Sequence, residues 1–173
     1  PGQAWQGYDL LIDFAKSIEE ERKDIKFKIV GPESYEYKTL PSNIEILGFL
    51  EQREVEKLVK LADICVGTLA AFRKNIHEVS SLKHRMYASH LKPFFLTVRD
   101  TDFYLIKGVL TLPNSPNSLE NKKEELLLFI DRYAGVQLEE SDFSIYLESE
   151  KAKSRVAFIR DAAARLNKYS LSF

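Results

Sequence analysis

The sequence predicts an α/β protein with a doubly wound, Rossmann-like parallel sheet that carries helices on both faces. Short apolar runs alternate with amphipathic helical segments along most of the chain. The runs are continuously apolar, which is typical of strands buried on both faces. Gly31, Gly48 and Gly67 each end one of these runs. Because ligands of such sheets bind beyond the carboxyl ends of the strands, we expect a site near these glycines.

The first part of the chain supplies two helices and the runs that stop at glycine. Apolar residues at helical spacing predict helices over 9–23 and 51–61. The continuous runs predict strands over 27–30, 44–47 and 64–66. Right-handed crossovers between such strands make the sheet parallel and open.

The stretch from Glu78 to Pro93 joins a polar loop to a helix and a buried strand. Ser80 or Ser81 offers a hydroxyl to cap the helix N-terminus, and Pro93 ends the helix. The apolar run 94–96 predicts the strand that follows. Free N–H groups and the positive end of the helix dipole favour phosphate. We therefore expect an anion site at the start of this helix.

The last part of the chain repeats the alternation less regularly. A helical turn is predicted over 102–106 and a strand over 109–112. Apolar spacing predicts a helix over 119–133 and a last helix over 149–168, capped by Ser149. No linker interrupts the chain, so the sequence predicts one domain over 1–173.

Composition excludes several classes of protein. The 173 residues carry a net charge of −1, so no basic field argues for nucleic acid. The single cysteine, Cys65, excludes an intrachain disulfide and fits a reducing compartment. No apolar run approaches the roughly 18 residues of a membrane span. His77, His84 and His90 are not spaced to ligate one metal from one helix face, so we expect no metal.

Segments between Trp5 and Leu96 occur in an order that a known family shares: WQGYDLLIDFAK, FKIVGPE, IEILGFL, VEKLVKLADICVGT and SSLKHRMYASHLKPFFL. In order and spacing they resemble the C-terminal, donor-binding domain of GT-B type retaining glycosyltransferases of the "glycosyl transferases group 1" family. The resemblance implies half of a GT-B fold that binds a nucleotide-sugar and needs no cofactor. It also implies a cytoplasmic enzyme of polysaccharide or glycolipid synthesis, with a membrane-peripheral location left open. The acceptor glycan or glycolipid would bind an N-terminal domain that this fragment lacks.

The resemblance also assigns site residues, position by position. Glu78 matches an acidic residue near the donor sugar and is the candidate catalytic residue. The second acidic position, which binds the ribose hydroxyls, falls on Met86, and methionine cannot accept those hydrogen bonds. The implied nucleotide-sugar-binding residues are Gly31, Pro32, Leu47, Gly48, Phe49, Val79, Ser80, Ser81, Leu82, Lys83 and Met86.

Other positions depart from the family pattern. Gln3 and Gln6 stand where the family has a basic pair that neutralises the leaving diphosphate. Arg85 has the planar fork to replace those cations, and Lys83 is read equally well as a phosphate contact or as a surface charge. Leu91 stands where a glycine is usual. The family's first sheet strand, expected before Gly2, is absent or reduced to a stub.

Three functional hypotheses remain open at this stage. The first is the donor half of an active glycosyltransferase. The second is a glycosyltransferase-like domain that has lost donor binding and serves as a scaffold or partner-binding module, and Met86, Gln3 and Gln6 favour it. The third is a nucleotide-sugar epimerase-like domain. Under the first hypothesis we expect the chain alone not to transfer sugar, because the acceptor domain is missing.

Overall fold

The computed structural model describes residues 4–31, 39–146, 153 and 155–160. The chain divides into two compact units, Pro1–Leu138 and Glu139–Phe173. The first unit holds all the strands and the helices named below. The second contains a 3-10 helix over Glu140–Tyr146 and helical residues 155–160.

The helices of the first unit follow the predicted order with shorter bounds. They are α1 (Tyr8–Ile18), α2 (Gln52–Leu61), α3 (Leu82–Ser89), α4 (Ser118–Asn121) and α5 (Lys123–Tyr133), with 3-10 helices over Ala4–Gln6 and Ala71–Lys74. The prediction that α1 reaches residue 23 is wrong. Successive glutamates follow Ile18, and negative charge is unfavourable at the negative end of a helix dipole. The predicted helix over 119–133 is divided at Lys122.

The described strands form separate parallel sheets. They are β1 (Phe27–Ile29), β2 (Ile44–Ile46), β3 (Cys65–Val66), β4 (Glu78–Val79), β5 (Phe94–Leu96), β6 (Arg99–Asp100) and β7 (Val109–Thr111). One sheet pairs β1 with β2, a second has the order β3-β5-β7, and a third pairs β4 with β6. Every one of these pairings is parallel. The fold is therefore mixed α/β with small parallel sheets.

The prediction that 64–66 and 94–96 form neighbouring parallel strands is confirmed; the predicted burial holds for all of β5 but only for Cys65 of β3. Cys65 lies opposite Phe94, and Val66 lies opposite Phe95. All of β5 is inaccessible to solvent. Its side chains alternate between two faces, because Phe94 stacks on the ring of His84 from α3 whereas Phe95 belongs to the main apolar cluster.

The apolar core lies between α1, α5 and the strands. Leu11, Phe14 and Ile18 from α1 pack with Leu126 and Ile130 from α5. Trp5 and Gln6 lie beside the segment that follows β3, since the amides of Leu69 and Ala70 donate to the carbonyls of Gln6 and Trp5 at 3.2 and 3.1 Å.

The last predictions are met only in part. Residues 101–105 form a turn and not the helical turn predicted over 102–106. Residues 155–160 of the predicted last helix are helical, and Val156 and Ile159 are exposed there. Its proposed cap, Ser149, lies outside the described residues. No helix in the described part of the chain is both long and apolar enough to cross a membrane.

Candidate functional site

The ends of β1 and β2 lie together, as the glycine pattern predicts. The Gly31 amide donates to the Gly48 carbonyl at 2.8 Å, immediately beyond the paired strands. Leu47 and Gly48 are half-buried, whereas Phe49 is 59% exposed. Pro32 lies outside the described residues. This corner presents backbone groups and one exposed aromatic ring.

Gly67, at the end of β3, serves helix packing. A Cβ atom there would lie 2.7 Å from His84 Nε2 and 2.7 Å from Leu96 Cβ. Those separations are shorter than real Cβ contacts, so only glycine lets α3 approach the sheet this closely. We expected Gly67 to lie near a ligand site. In the structure it instead leaves the space in which α3 packs against the sheet.

The start of α3 is held by side chains that follow it in sequence. Ser81 is the residue before the helix, as predicted, but its hydroxyl makes no capping hydrogen bond. Its amide instead donates to Asp100 Oδ2 at 3.4 Å, and its carbonyl accepts from Arg85 Nη1 at 2.8 Å. The predicted hydroxyl cap is thus wrong, because a carboxylate from β6 takes the place near the helix N-terminus.

A buried histidine–aspartate pair lies directly beneath this helix start. His84 Nδ1 lies 2.7 Å from Asp100 Oδ2, and the Thr68 amide donates to His84 Nε2 at 3.3 Å. Since Nε2 accepts, Nδ1 carries the proton and the imidazole is neutral. Burial lowers the pKa of His84, and this outweighs the hydrogen bond to Asp100.

Arg85 extends the pair into a charged network. Its guanidinium contacts the carboxylates of Asp102 and Asp100, the latter at 3.4 Å, and lies 5.5 Å from the ring centre of Phe103. Burial alone raises the pKa of Asp100. Hydrogen bonds from His84 and from the Asp102 amide, together with the charge of Arg85, lower it by more, so the net shift of the pKa is downward. Because its guanidinium already contacts these two carboxylates, Arg85 is poorly placed to replace the cations that bind phosphate in the resembled family.

Lys83, in the first turn of α3, contacts Gln6, one of the two positions at which the resemblance places a basic residue. Its Nζ atom donates to Gln6 Oε1 at 2.7 Å. The side chain is partly buried, so its interpretation as a plain surface charge is wrong. Burial lowers the pKa of Lys83 to about 7. Lys83 and Met86 both line a cleft of about 640 Å³.

Glu78 lies apart from this buried group. It belongs to β4, opposite Arg99 of β6, and its Oε1 atom lies 3.4 Å from Arg99 Nη1. Its side chain is exposed, as is that of Ser80. Leu82 is 84% exposed. Glu78, Ser80 and Leu82, between β4 and the start of α3, are therefore accessible to a solute.

No protein-family model, curated protein or solved structure matches the chain. The family resemblance therefore rests on the sequence segments between Trp5 and Leu96.

The start of α3 carries groups that suit an anion. Within residues 4–31, 39–146, 153 and 155–160, no group of three or more His, Cys, Asp or Glu side chains is arranged to hold a metal ion. The segment Val79–Lys83 combines the exposed Ser80 and Leu82, the N-terminus of α3 and the Lys83 amine. An amine with a pKa near 7 gains a proton readily when an anion approaches.

Sequence reasoning missed His84 and Asp100. Spacing along α3 drew attention to Leu82, Arg85 and Met86, whereas His84 is the residue that is wholly buried. The helix is short and weakly amphipathic, so periodicity carries little signal. Two local features point to them: His84 is a polar residue in the first turn of α3, and Asp100 follows the buried strand β5.

Proposed function

We propose that the chain is the donor-binding domain of a retaining GT-B glycosyltransferase. In this proposal the small parallel sheets belong to one doubly wound, Rossmann-like domain. The domain holds a nucleotide-sugar while the sugar passes to a glycan or glycolipid acceptor bound by a separate N-terminal domain. Such chemistry uses soluble cytoplasmic donors and needs no metal cofactor here.

The observation that carries the proposal is the position of Lys83. Lys83 lies in the first turn of α3, and its amine contacts Gln6, which stands where the resembled family has a cation. A helix N-terminus and a cation together favour a diphosphate. Protonation of Lys83 on binding would restore one of the missing positive charges.

The remaining predicted residues each contact one part of the nucleotide-sugar in this proposal. The amides of Val79, Ser80 and Leu82 face the diphosphate in this proposal, and the Ser81 amide does so once it leaves the Asp100 carboxylate. Gly31 with Leu47–Phe49 lines the base. Glu78 lies near the sugar. Negative charge grows on the diphosphate as the sugar becomes oxocarbenium-like, so donors aimed at that charge supply most of the catalysis. Met86 offers the ribose an apolar contact only.

Nucleotide titration tests the proposal. The chain is titrated with UDP, GDP, ADP and CDP while amide NMR shifts are recorded. We expect saturable shifts at Gly48, Ser80, Ser81 and Lys83 for one base, and their loss in Lys83→Met. The exposed Lys57→Met on α2 is the matched control. No saturable shift at millimolar nucleotide, a binding free energy weaker than about −4 kcal/mol, contradicts donor binding.

One structural observation favours the scaffold hypothesis as second candidate. The Asp100 carboxylate already accepts from the Ser81 amide at the start of α3, where a phosphate would otherwise bind. Together with Met86, this describes a domain without donor affinity. The same titration separates the two, because a scaffold leaves the amides of Ser80 and Ser81 unshifted at every nucleotide concentration.

Sugar transfer by the chain itself is a separate test. We expect no turnover from the chain alone with any nucleotide-sugar, since acceptor binding requires the other domain. Measurable transfer would contradict this division of labour between two domains.

A further inference from the structure

Lys83 lines the cleft of about 640 Å³, a volume within the range of sites for small organic molecules. Its side chain is partly buried, and its Nζ atom donates to Gln6 Oε1 at 2.7 Å. Gln6 lines the same cleft. The amine is therefore held at the wall of the cleft by a neutral acceptor.

No carboxylate of the described residues holds this amine in its charged form. Burial is the only cause of the lowered pKa of Lys83, which is about 7. The two carboxylates that line the cleft have other partners. Asp24 accepts from Arg22 at 3.0 and 2.8 Å, and Asp63 accepts from the Gly135 amide at 3.1 Å. At pH 7 about half of the Lys83 amine is thus neutral, whereas an ordinary exposed lysine is almost wholly protonated.

A neutral lysine amine in an apolar pocket is a nucleophile for carbonyl carbon. Its lone pair remains available while one N–H group donates to Gln6 Oε1. Attack on an aldehyde forms the C–N bond, a proton passes from nitrogen to the former carbonyl oxygen, and loss of water leaves an imine. The imine takes a proton from solvent and becomes an iminium. Its N–H group has the same acceptor, so Gln6 serves the free amine and the adduct alike.

The other lining residues select the rest of the aldehyde. The apolar side chains of Leu11, Ile29, Leu69 and Phe95 line the cleft, and each is buried. Met86, three residues after Lys83 on α3, lines it as well. Such a surface favours an apolar body, because apolar area is removed from water on both sides of the contact.

We propose that Lys83 is a covalent binding site for an aldehyde with an apolar body, held in this cleft as an iminium. The inference goes beyond the proposed function and does not rest on it. An aldehyde requires the neutral amine and the apolar lining, whereas a diphosphate requires the protonated amine and the N-terminus of α3.

Reductive trapping tests the proposal. The chain is incubated at pH 7 with hexanal and sodium cyanoborohydride, which reduces an iminium to a stable secondary amine. Peptide mass spectrometry then assigns the labelled lysines. We expect Lys83 to be labelled at least about tenfold faster than the exposed Lys57 of α2, because a far larger fraction of its amine is neutral. Lys83→Met should lose the fast label, and the matched control Lys57→Met should keep it.

Two controls address the fold and the apolar body. The preference for Lys83 should disappear when the chain is unfolded in guanidinium chloride, since burial lowers the pKa. It should also be much weaker with glycolaldehyde, a short polar aldehyde. Labelling of Lys83 by hexanal no faster than that of Lys57 overturns the proposal, and so does an equal preference for Lys83 with both aldehydes. Nucleotide binding is measured separately by amide shifts, so either proposal can fail alone.

Discussion

His84 Nδ1 donates to Asp100 Oδ2 at 2.7 Å, and neither side chain is reached by solvent. The contact joins α3 to β6, two elements sixteen residues apart in sequence. The imidazole is neutral and its second nitrogen accepts from the backbone at Thr68. A pair so enclosed positions the helix start and does not reach a reacting group.

Removing His84 is expected to destabilise the chain strongly. His84→Leu leaves the buried Asp100 carboxylate without its main donor, and a buried charged acceptor that loses a hydrogen bond costs about 3 kcal/mol. Urea unfolding measures the loss. The matched control is the exposed His77→Leu, for which we expect a change of less than about 0.5 kcal/mol. Equal losses from both variants would contradict the assigned role.

Acid is expected to weaken the fold before most carboxylates titrate. The folded-state pKa of His84 lies below the ordinary value of 6.5. Below that value the unfolded chain therefore binds more protons than the folded one, and stability falls as the pH drops. Urea midpoints at pH 7.0 and 5.5 measure this for the chain and for His84→Leu, which should lack the dependence. A charged His84 ring at pH 6 in ¹⁵N spectra would argue against it.

The amine of Lys83 predicts a slope of the same sign on the alkaline side. Its folded-state pKa is about 7 against 10.5 for the ordinary group, so above pH 7 the unfolded chain holds a proton that the folded one has lost. Stability therefore rises with pH. The buried Cys65 thiol, whose pKa is raised to about 12, acts in the other direction above pH 9.

The window for the Lys83 test is therefore pH 7 to about 8.5, below the ordinary thiol pKa. Urea midpoints across it should rise for the chain and for the control Lys57→Met, and stay level for Lys83→Met. A slope that survives in Lys83→Met assigns the dependence to another group.

A strained surface leucine offers a stabilising change. Leu105 has a φ of 62° and is 85% exposed. Left-handed backbone costs a non-glycine residue about 1–2 kcal/mol, and part of the gain from Leu105→Gly is lost to the greater freedom of the unfolded chain. We expect a net gain of about 0.5 kcal/mol in urea unfolding. Leu105→Ala keeps the strain and is expected to gain nothing; a similar gain from it would rule out backbone strain as the cause.

The sequence predicted the strands of mainly apolar composition and missed the two short strands that contain charged residues. The runs 64–66 and 94–96 are continuously apolar because helices cover both faces, and this pattern is readable locally. The strands β4 and β6 consist of Glu78-Val79 and Arg99-Asp100, and their burial patterns are mixed. Two-residue strands of polar composition are stabilised by their pairing partner, which no local pattern reveals.

The candidate site was predictable only as far as the helix start. Ser81 precedes α3 as the local sequence indicated, but the group that accepts from its amide, Asp100, comes from a distant strand. A glycine is usual at the position of Leu91 in the resembled family, and glycine at a helix end indicates a left-handed backbone there. Leu91 has a φ of 55°, so the backbone keeps the glycine-like conformation although the side chain differs.

Among the described strands, β1 and β3 each have one edge without a strand partner, which bears on how the chain behaves at high concentration. Unpaired strand edges are templates for strands of other molecules, and charged side chains on them oppose such pairing. Lys28 lies on β1, but its ammonium is paired with Glu45 at 2.9 Å. A net charge of −1 adds little repulsion between molecules. Pairing of strands between molecules is therefore the form of aggregation that these edges predict.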